Sequence, residues 1–192
     1  MDEHVLGSQR RPLLAAAAIV AGTTVLLWGQ GRVAWCRGGD WSPWSWDIWS
    51  AHNSQHLLDP YAFTHVLHGI FEYWMIGLVF RDRSLAWRCV LAIAIESTWE
   101  VVENSAFVIE RYRAVTISLD YFGDSIANSL ADIACCALGV WLAHALRFWR
   151  SLGVFVATEL VLLASIRDSL VLNLVMLIWP VDALRSWQLA GR

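Results

Sequence analysis

The chain has 192 residues, 57% of them hydrophobic and only 16% charged, with a net charge of −3. It is too apolar to be disordered and richer in apolar residues than an ordinary soluble domain. The acidic balance and the lack of any Lys/Arg tract argue against nucleic acid as a partner.

In chain order, a short polar start ends in Arg10-Arg11, and residues 13–28 then run apolar for about one membrane span. Arginines before an apolar run also begin signal peptides. No small-x-small cleavage site follows, so an uncleaved first helix is the expectation. Residues 29–60 form a Gly-, Ser- and Trp-rich connection with Trp35, Trp41, Trp44, Trp46 and Trp49, which reads as an interfacial belt of indoles. Further apolar segments follow at 63–80, 87–109, 125–148 and 153–179, the last stopped by Pro180. Between the third and fourth, residues 110–123 read as a polar loop carrying Arg111 and Arg113. A short amphipathic tail with Arg185 and Trp187 is placed along the interface.

The expected fold is therefore all-α: one integral membrane domain over residues 1–192, a polytopic helix bundle of about five spans. Arg10, Arg11, Arg81, Arg83, Arg88, Arg147 and Arg150 fall on one side, which is then cytoplasmic. The other side keeps Arg32, Arg37, Arg111, Arg113, Arg185 and Arg192, so the bias is modest. This places the protein in a bacterial inner membrane among lipids, with its N-terminus inside, its C-terminus periplasmic and both long loops outside.

Three polar stripes interrupt the apolar segments. His65, His68 and Glu72 lie at i, i+3, i+7 on the second; Glu96, Glu100 and Glu103 at i, i+4, i+7 on the third; Asp124, Asn128 and Asp132 at i, i+4, i+8 on the fourth. Each stripe occupies one helix face. A mid-membrane carboxylate costs roughly 2.5–3.5 kcal/mol on insertion scales, so the stripes need partners. Sorted by depth, His65, Glu103, Asn104 and Asp124 form an outer layer, with Asp59, Arg111 and Arg113 just above. His68, Glu100 and Asn128 form a middle layer, and Glu72, Glu96 and Asp132 a lower one. On the fifth segment, Arg167 is expected to neutralise Glu96, while His52 and His56 roof the site. Buried polar groups can simply satisfy one another and glue helices together, but intramembrane ionisable groups also mark functional sites.

The chemistry read from these residues is a base or metal pair at His65 and His68, with Glu100, Glu103 and Asp124 as acid, base or completing groups. Asn104 and Asn128 line the site, and Arg111 meets an anionic head group as a bidentate donor. A divalent metal would take His65, His68 and Glu103 and activate water against an envelope lipid or lipid-linked ligand. Proton- or cation-coupled transport and a non-enzymatic scaffold are the alternative classes. None of the four cysteines forms a CxxC pair, so the spacing indicates neither a zinc knuckle nor a disulfide framework. No nucleophile-elbow, Walker or dinucleotide motif is present.

Several strings carry a resemblance: Ser54-Gln55-His56 with Asp59-Pro60-Tyr61, Phe63-Thr64-His65-Val66-Leu67-His68-Gly69, Trp99-Glu100-Val101-Val102-Glu103-Asn104-Ser105, and Gly123-Asp124-Ser125 with Asn128-Ser129. With Ile109-Glu110-Arg111-Tyr112-Arg113, Arg167-Asp168 and Leu172-Asn173, they cover about 54–180. The sequence resembles an uncharacterised family of alphaproteobacterial inner-membrane proteins, which implies a multi-pass membrane protein and carries no activity. It is more distantly similar to VanZ-like membrane proteins, in the order of a histidine, a glutamate, an arginine and an Asp-x-x-x-Asn. His65 or His68, Glu100 or Glu103, Arg111, and Asp124 with Asn128 would correspond. Paired histidines, extra glutamates and a fifth segment depart from that pattern.

Overall fold

The computed structural model describes residues 3–118 and 120–191, with side chains from Arg10 onward. The expected placements of the first two residues inside and of Arg192 outside lie beyond the described residues. Seven helices and no strands make up the described chain: α1 (Glu3–Gly29), α2 (Ala62–Val79), α3 (Leu85–Glu103), α4 (Ala106–Val115), α5 (Ile126–Ile166), α6 (Leu170–Ile178) and α7 (Asp182–Leu189). Helix α5 is two arms, because Arg147 is non-helical at φ 61° and ψ 173°. The second arm runs back along α2. Ser151 and Phe155 meet Trp74 near the far end of α2, while Leu162 and Ile166 pack on Ile48 and Ile117 of the loops.

Two of the expected apolar segments are broken. The third stops at Asn104, and Ser105 caps a new helix by accepting from the backbone N–H of Val108. That helix, α4, takes in the first part of the expected 110–123 loop and contains both Arg111 and Arg113. The fifth stops at Arg167, left-handed at φ 53°, and Ser169 caps α6 by accepting from Leu172 N–H. Glu159 assists by accepting from the N–H groups of Leu170 and Val171 at 2.9 and 3.3 Å. A carboxylate across a helix N-terminus meets both free donors and the positive dipole end.

Among the described residues, two helices are long and apolar enough to cross a membrane: α1 over Arg10–Gly29, and α5. Helix α3 falls short because Arg88, Glu96, Glu100 and Glu103 all lie in it, and α2 carries His65, His68 and Glu72. The residues that make the site are those that lower the apolar character.

Helices α2 and the first arm of α5 cross at glycine. A Cβ on Gly69 would lie 1.9 Å from the Cys136 carbonyl oxygen, and one on Gly139 would lie 2.0 Å from that of Val66. Backbones approach this closely only where small residues meet. Around the crossing pack Ile76, Ala92, Cys136 and Val140 on one side, and Leu67, Ile70, Ala143 and Leu170 on the other. The crossing sets the register of α2 against α5 and so positions the polar stripes.

Both long connections sit at one end of the bundle. Backbone N–H groups of Ser125, Ile126 and Ala127 donate to the carbonyls of Ser54, Val33 and Ala34, and Gln55 Nε2 donates to the Gly123 carbonyl. Gly123 adopts φ +94°, and a side chain there would strike Arg32 and Asn104. Tail helix α7 returns to the same end, where Gln188 Nε2 donates to the Arg167 carbonyl and to Asp168 Oδ1.

Candidate functional site

At this end a cavity of about 50 Å³ opens beneath the loops. That space takes a few waters or a small ion. It is lined by loop residues Asn53, Ser54, Asp59 and Ser118, by the phenols of Tyr61, Tyr112 and Tyr121, and by His65, His68, Trp99, Glu103, Asp124, Asn128 and Asp132. Helix α6 closes one wall with Leu170, Asn173 and Leu174.

The floor is a histidine–carboxylate centre. Glu96 is buried and accepts from both histidines: His65 Nδ1 meets its Oε1, and His68 Nδ1 lies 3.0 Å from Oε2. With both Nδ1 positions turned to one carboxylate, each ring presents its other nitrogen as a lone pair, the arrangement by which outer carboxylates orient ligating imidazoles. His65 Nε2 lies 3.7 Å from Asp132 Oδ2, and its Nδ1 lies 3.6 Å from Glu100 Oε1. Trp99 stands edge-on to His68 with ring centroids 6.4 Å apart.

Glu100 is fully buried, and neither carboxylate oxygen has a hydrogen-bond partner of good geometry. The same holds for Asp132 Oδ1 and Asn128 Nδ2. A buried charge without partners is expensive. Ligand atoms of His65, Glu100 and Asp132 all lie within 4.8 Å of one another, as do those of His65, His68 and Glu96. Either group has the composition of a first-row divalent metal site.

The upper wall is satisfied within itself. Asn104 Nδ2 donates to Asp124 Oδ2 at 2.7 Å, while Asp124 N–H donates to Asn104 Oδ1 at 2.7 Å. Tyr121 OH adds a third bond to Asp124 at 2.9 Å. Burial pushes the Asp124 carboxyl up to about 6, and the bonds from Asn104 and Tyr121 offset only part of that. Burial also raises Asp59, against the pull of the N–H groups it accepts from Tyr61, Ser54 and Ala62. Asp168 ties the α5–α6 break to the cavity, accepting from Tyr61 OH at 3.1 Å and from Ser169 N–H at 2.9 Å.

The depth order read from sequence is corrected in three places. Helix α2 sits about one turn deeper against α3 and α5 than the stripes suggest, so His65 meets Glu96, Glu100 and Asp132 rather than Glu103 and Asp124. Asp59 joins the upper layer instead. Glu103 is consequently no partner of the histidine pair and turns to Tyr112 and Trp99; Glu96 takes its place. Arg167 does not reach Glu96, because the helix break carries it to the loop end, where its guanidinium donates to the Trp187 carbonyl and lies over the Trp187 ring.

Arg111 lies on α4 outside the cavity and donates from Nε to the Leu177 carbonyl at 3.0 Å, closing the C-terminal turn of α6. It has been spent on structure rather than aimed at a ligand. His52 and His56 do not roof the cavity either; they turn towards Cys36. The residues missed were Tyr61, Tyr112 and Tyr121, and Glu96, expected to be neutralised by Arg167, instead meets the two histidines. Tyrosines after Pro60 and around the loop give little signal, since they also suit an interfacial belt.

Comparison with known proteins places this geometry beside close relatives. A family model described as a protein of unknown function (DUF2585) matches residues 27–190. A UPF0314 protein of Paracoccus denitrificans is 45% identical over 172 residues, covering 90% of this chain and 89% of the relative. One of Rhizobium meliloti is 42% identical over 176 residues, covering 92% and 89%. One of Sphingopyxis alaskensis is 38% identical over 185 residues, covering 96% and 98%. No solved structure matches.

Proposed function

We propose, on the premise that this chain belongs to the DUF2585 family together with the alphaproteobacterial UPF0314 proteins, that it is a five-span inner-membrane protein. Its outward-facing site holds a divalent cation and uses it to bind, or act on, the polar head of an envelope lipid or lipid-linked ligand. The observation that carries this reading is the under-satisfied set at and beside the cavity floor: Glu100, approached only by Ser129 and His65, with Asp132 Oδ1 and Asn128 Nδ2, next to a histidine whose tautomer Glu96 sets.

In this reading His65 Nε2, Glu100 and Asp132 supply the ligand atoms and Glu96 orients His65 and His68. Asp124 and Glu103 line the approach. A cation there would offset carboxylates that otherwise repel one another, polarise an ester or phosphoryl oxygen, and lower the pKa of a bound water. An acidic wall without a lining arginine suits a head group that arrives through the cation or carries an amine. The outer surface supports the membrane part. Leu14, Val25, Phe71, Met75, Leu78, Ile95, Leu138, Leu160 and Val175 are all exposed, while Glu96, Glu100 and Asp132 are buried. Such an inside-out distribution needs an apolar solvent.

The test is elemental analysis of purified protein beside the His65→Ala/His68→Ala double variant. The expected result is one equivalent of divalent metal lost from the variant, with its helical circular dichroism unchanged. Equal metal in the two proteins would sink the reading.

A further inference from the structure

A second cluster lies outside this cavity, in the Trp-rich loop between α1 and α2. Cys36 Sγ lies 3.3 Å from His52 Nδ1, which lies 3.1 Å from His56 Nε2. One ligand atom from each falls within 4.8 Å of the other two. An ion with Zn–S about 2.3 Å and Zn–N about 2.0 Å holds tetrahedral ligand atoms roughly 3.3–3.6 Å apart, so these separations need only a slight opening.

The surroundings orient every member. His56 is buried and its Nδ1 meets the Ser42 carbonyl, which can only accept. The proton is therefore on Nδ1, and Nε2 turns its lone pair towards His52 and Cys36. His52 Nδ1 cannot both accept from the Cys36 thiol and donate to His56. Hydrogen bonding through this one nitrogen can thus serve the thiol as acceptor or the second ring as donor but not both, whereas a cation would take a lone pair from all three. Asp40 Oδ2 stands 3.9 Å from His56 Nε2 on the open side, while its Oδ1 is held by Ser42 N–H at 2.9 Å. A turn through Gly39, at φ +74°, returns the chain from Cys36 to Asp40. A side chain on Gly38 would come within 3.1 Å of His52 Cε1.

The spacing now has meaning: Cys36-x3-Asp40, eleven residues, then His52-x3-His56. Paired ligands three to five residues apart, brought together from two turns, are the pattern of structural zinc sites. We propose that Cys36, His52 and His56, completed by Asp40, bind a zinc ion that staples the Trp-rich loop over the bundle. Binding converts the Cys36 thiol to a thiolate and releases its proton to solvent, so affinity rises with pH. The metal enters past Asp40, whose side chain is half exposed.

The full-length protein, purified in detergent and stripped with chelator, is titrated with cobalt(II). The expected result is a thiolate-to-cobalt charge-transfer band that saturates at one cobalt per Cys36, whatever the cavity floor binds besides. That band is lost in Cys36→Ser and His56→Ala and kept in Cys136→Ser and in His65→Ala/His68→Ala. The last variant separates this site from the cavity floor, so either can fail without the other. Should Cys36→Ser fail to fold, the wild type still decides. At free zinc ten times Kd, alkylation of Cys36 should slow about elevenfold by mass action, read by mass spectrometry. Absence of the band, its survival in folded Cys36→Ser, or alkylation indifferent to zinc would each overturn the proposal.

Discussion

Asn104 and Asp124 hold one another by two bonds of 2.7 Å across the break between α3 and α4 and the start of α5. Because burial raises Asp124 to about 6 from an ordinary 3.8, the folded state binds its proton more tightly than the unfolded state. The sign follows: this group's contribution is fully present below about pH 3.8 and is lost as pH rises through about 6. Thermal unfolding of chelator-treated protein, followed by tryptophan fluorescence, should show a midpoint that falls over that window. Asp124→Asn should flatten the fall, and an unchanged slope would remove Asp124 as its source. At this scale most of the site was legible, since His65, His68, Glu100, Asp124, Asn128 and Asp132 all stand at or beside the cavity. Arg111 lies off the cavity, and Glu103 lines it away from the histidines, because a side chain's partner depends on the neighbouring helix's register, which spacing along one helix does not contain.

Register belongs to the element scale, and the Gly69–Gly139 crossing sets it. A methyl group at either position meets a backbone carbonyl at 1.9–2.0 Å, and backbone has no rotamer by which to yield. Gly69→Ala should therefore destabilise by about 1–3 kcal/mol or more, the usual cost of overpacking. It should also weaken metal retention by prising Asp132 from His65. A variant as stable as wild type with full metal content would show that the close crossing does not support the site. The helix breaks belong to the same scale. Both interrupted segments break at a polar pair, Asn104-Ser105 and Asp168-Ser169, and Ser125 after Asp124 starts α5 in the same way. These are ordinary stop-and-cap signals. They were readable, but apolar residues on both sides make hydropathy run straight through them.

For the whole molecule, the two long loops share one end of the bundle with the cavity, and Arg81, Arg83 and Arg88 cluster at the other with the Arg147 reversal. If the arginine-rich end is cytoplasmic, the cavity faces the periplasm. An alkaline phosphatase fusion after Gly123 should then be active and one after Arg83 inactive. The opposite pattern would invert the orientation and bring the site to the cytoplasmic face. Such an arrangement also places the Cys36 loop where metal and lipid head groups meet it from the same side.

Composition and periodicity by themselves determined that this chain is all-α and which polar residues share a helix face, because 3.6-residue periodicity is a local property of the backbone. The family came instead from the resemblance of particular strings, such as those around His65, Glu100 and Asp124, and the comparisons show it. Only the tertiary structure decided which stripe meets which. A turn of helical register moves a side chain about 5.4 Å, enough to exchange Glu103 for Glu96 as the partner of the histidines. Tertiary contact also made a metal-ligand set of Cys36, His52 and His56, whose convergence depends on two loop turns and on glycine at positions 38 and 39. Spacing alone had dismissed them, since a lone cysteine sixteen residues from the nearer histidine becomes a neighbour only when the loop folds back on itself.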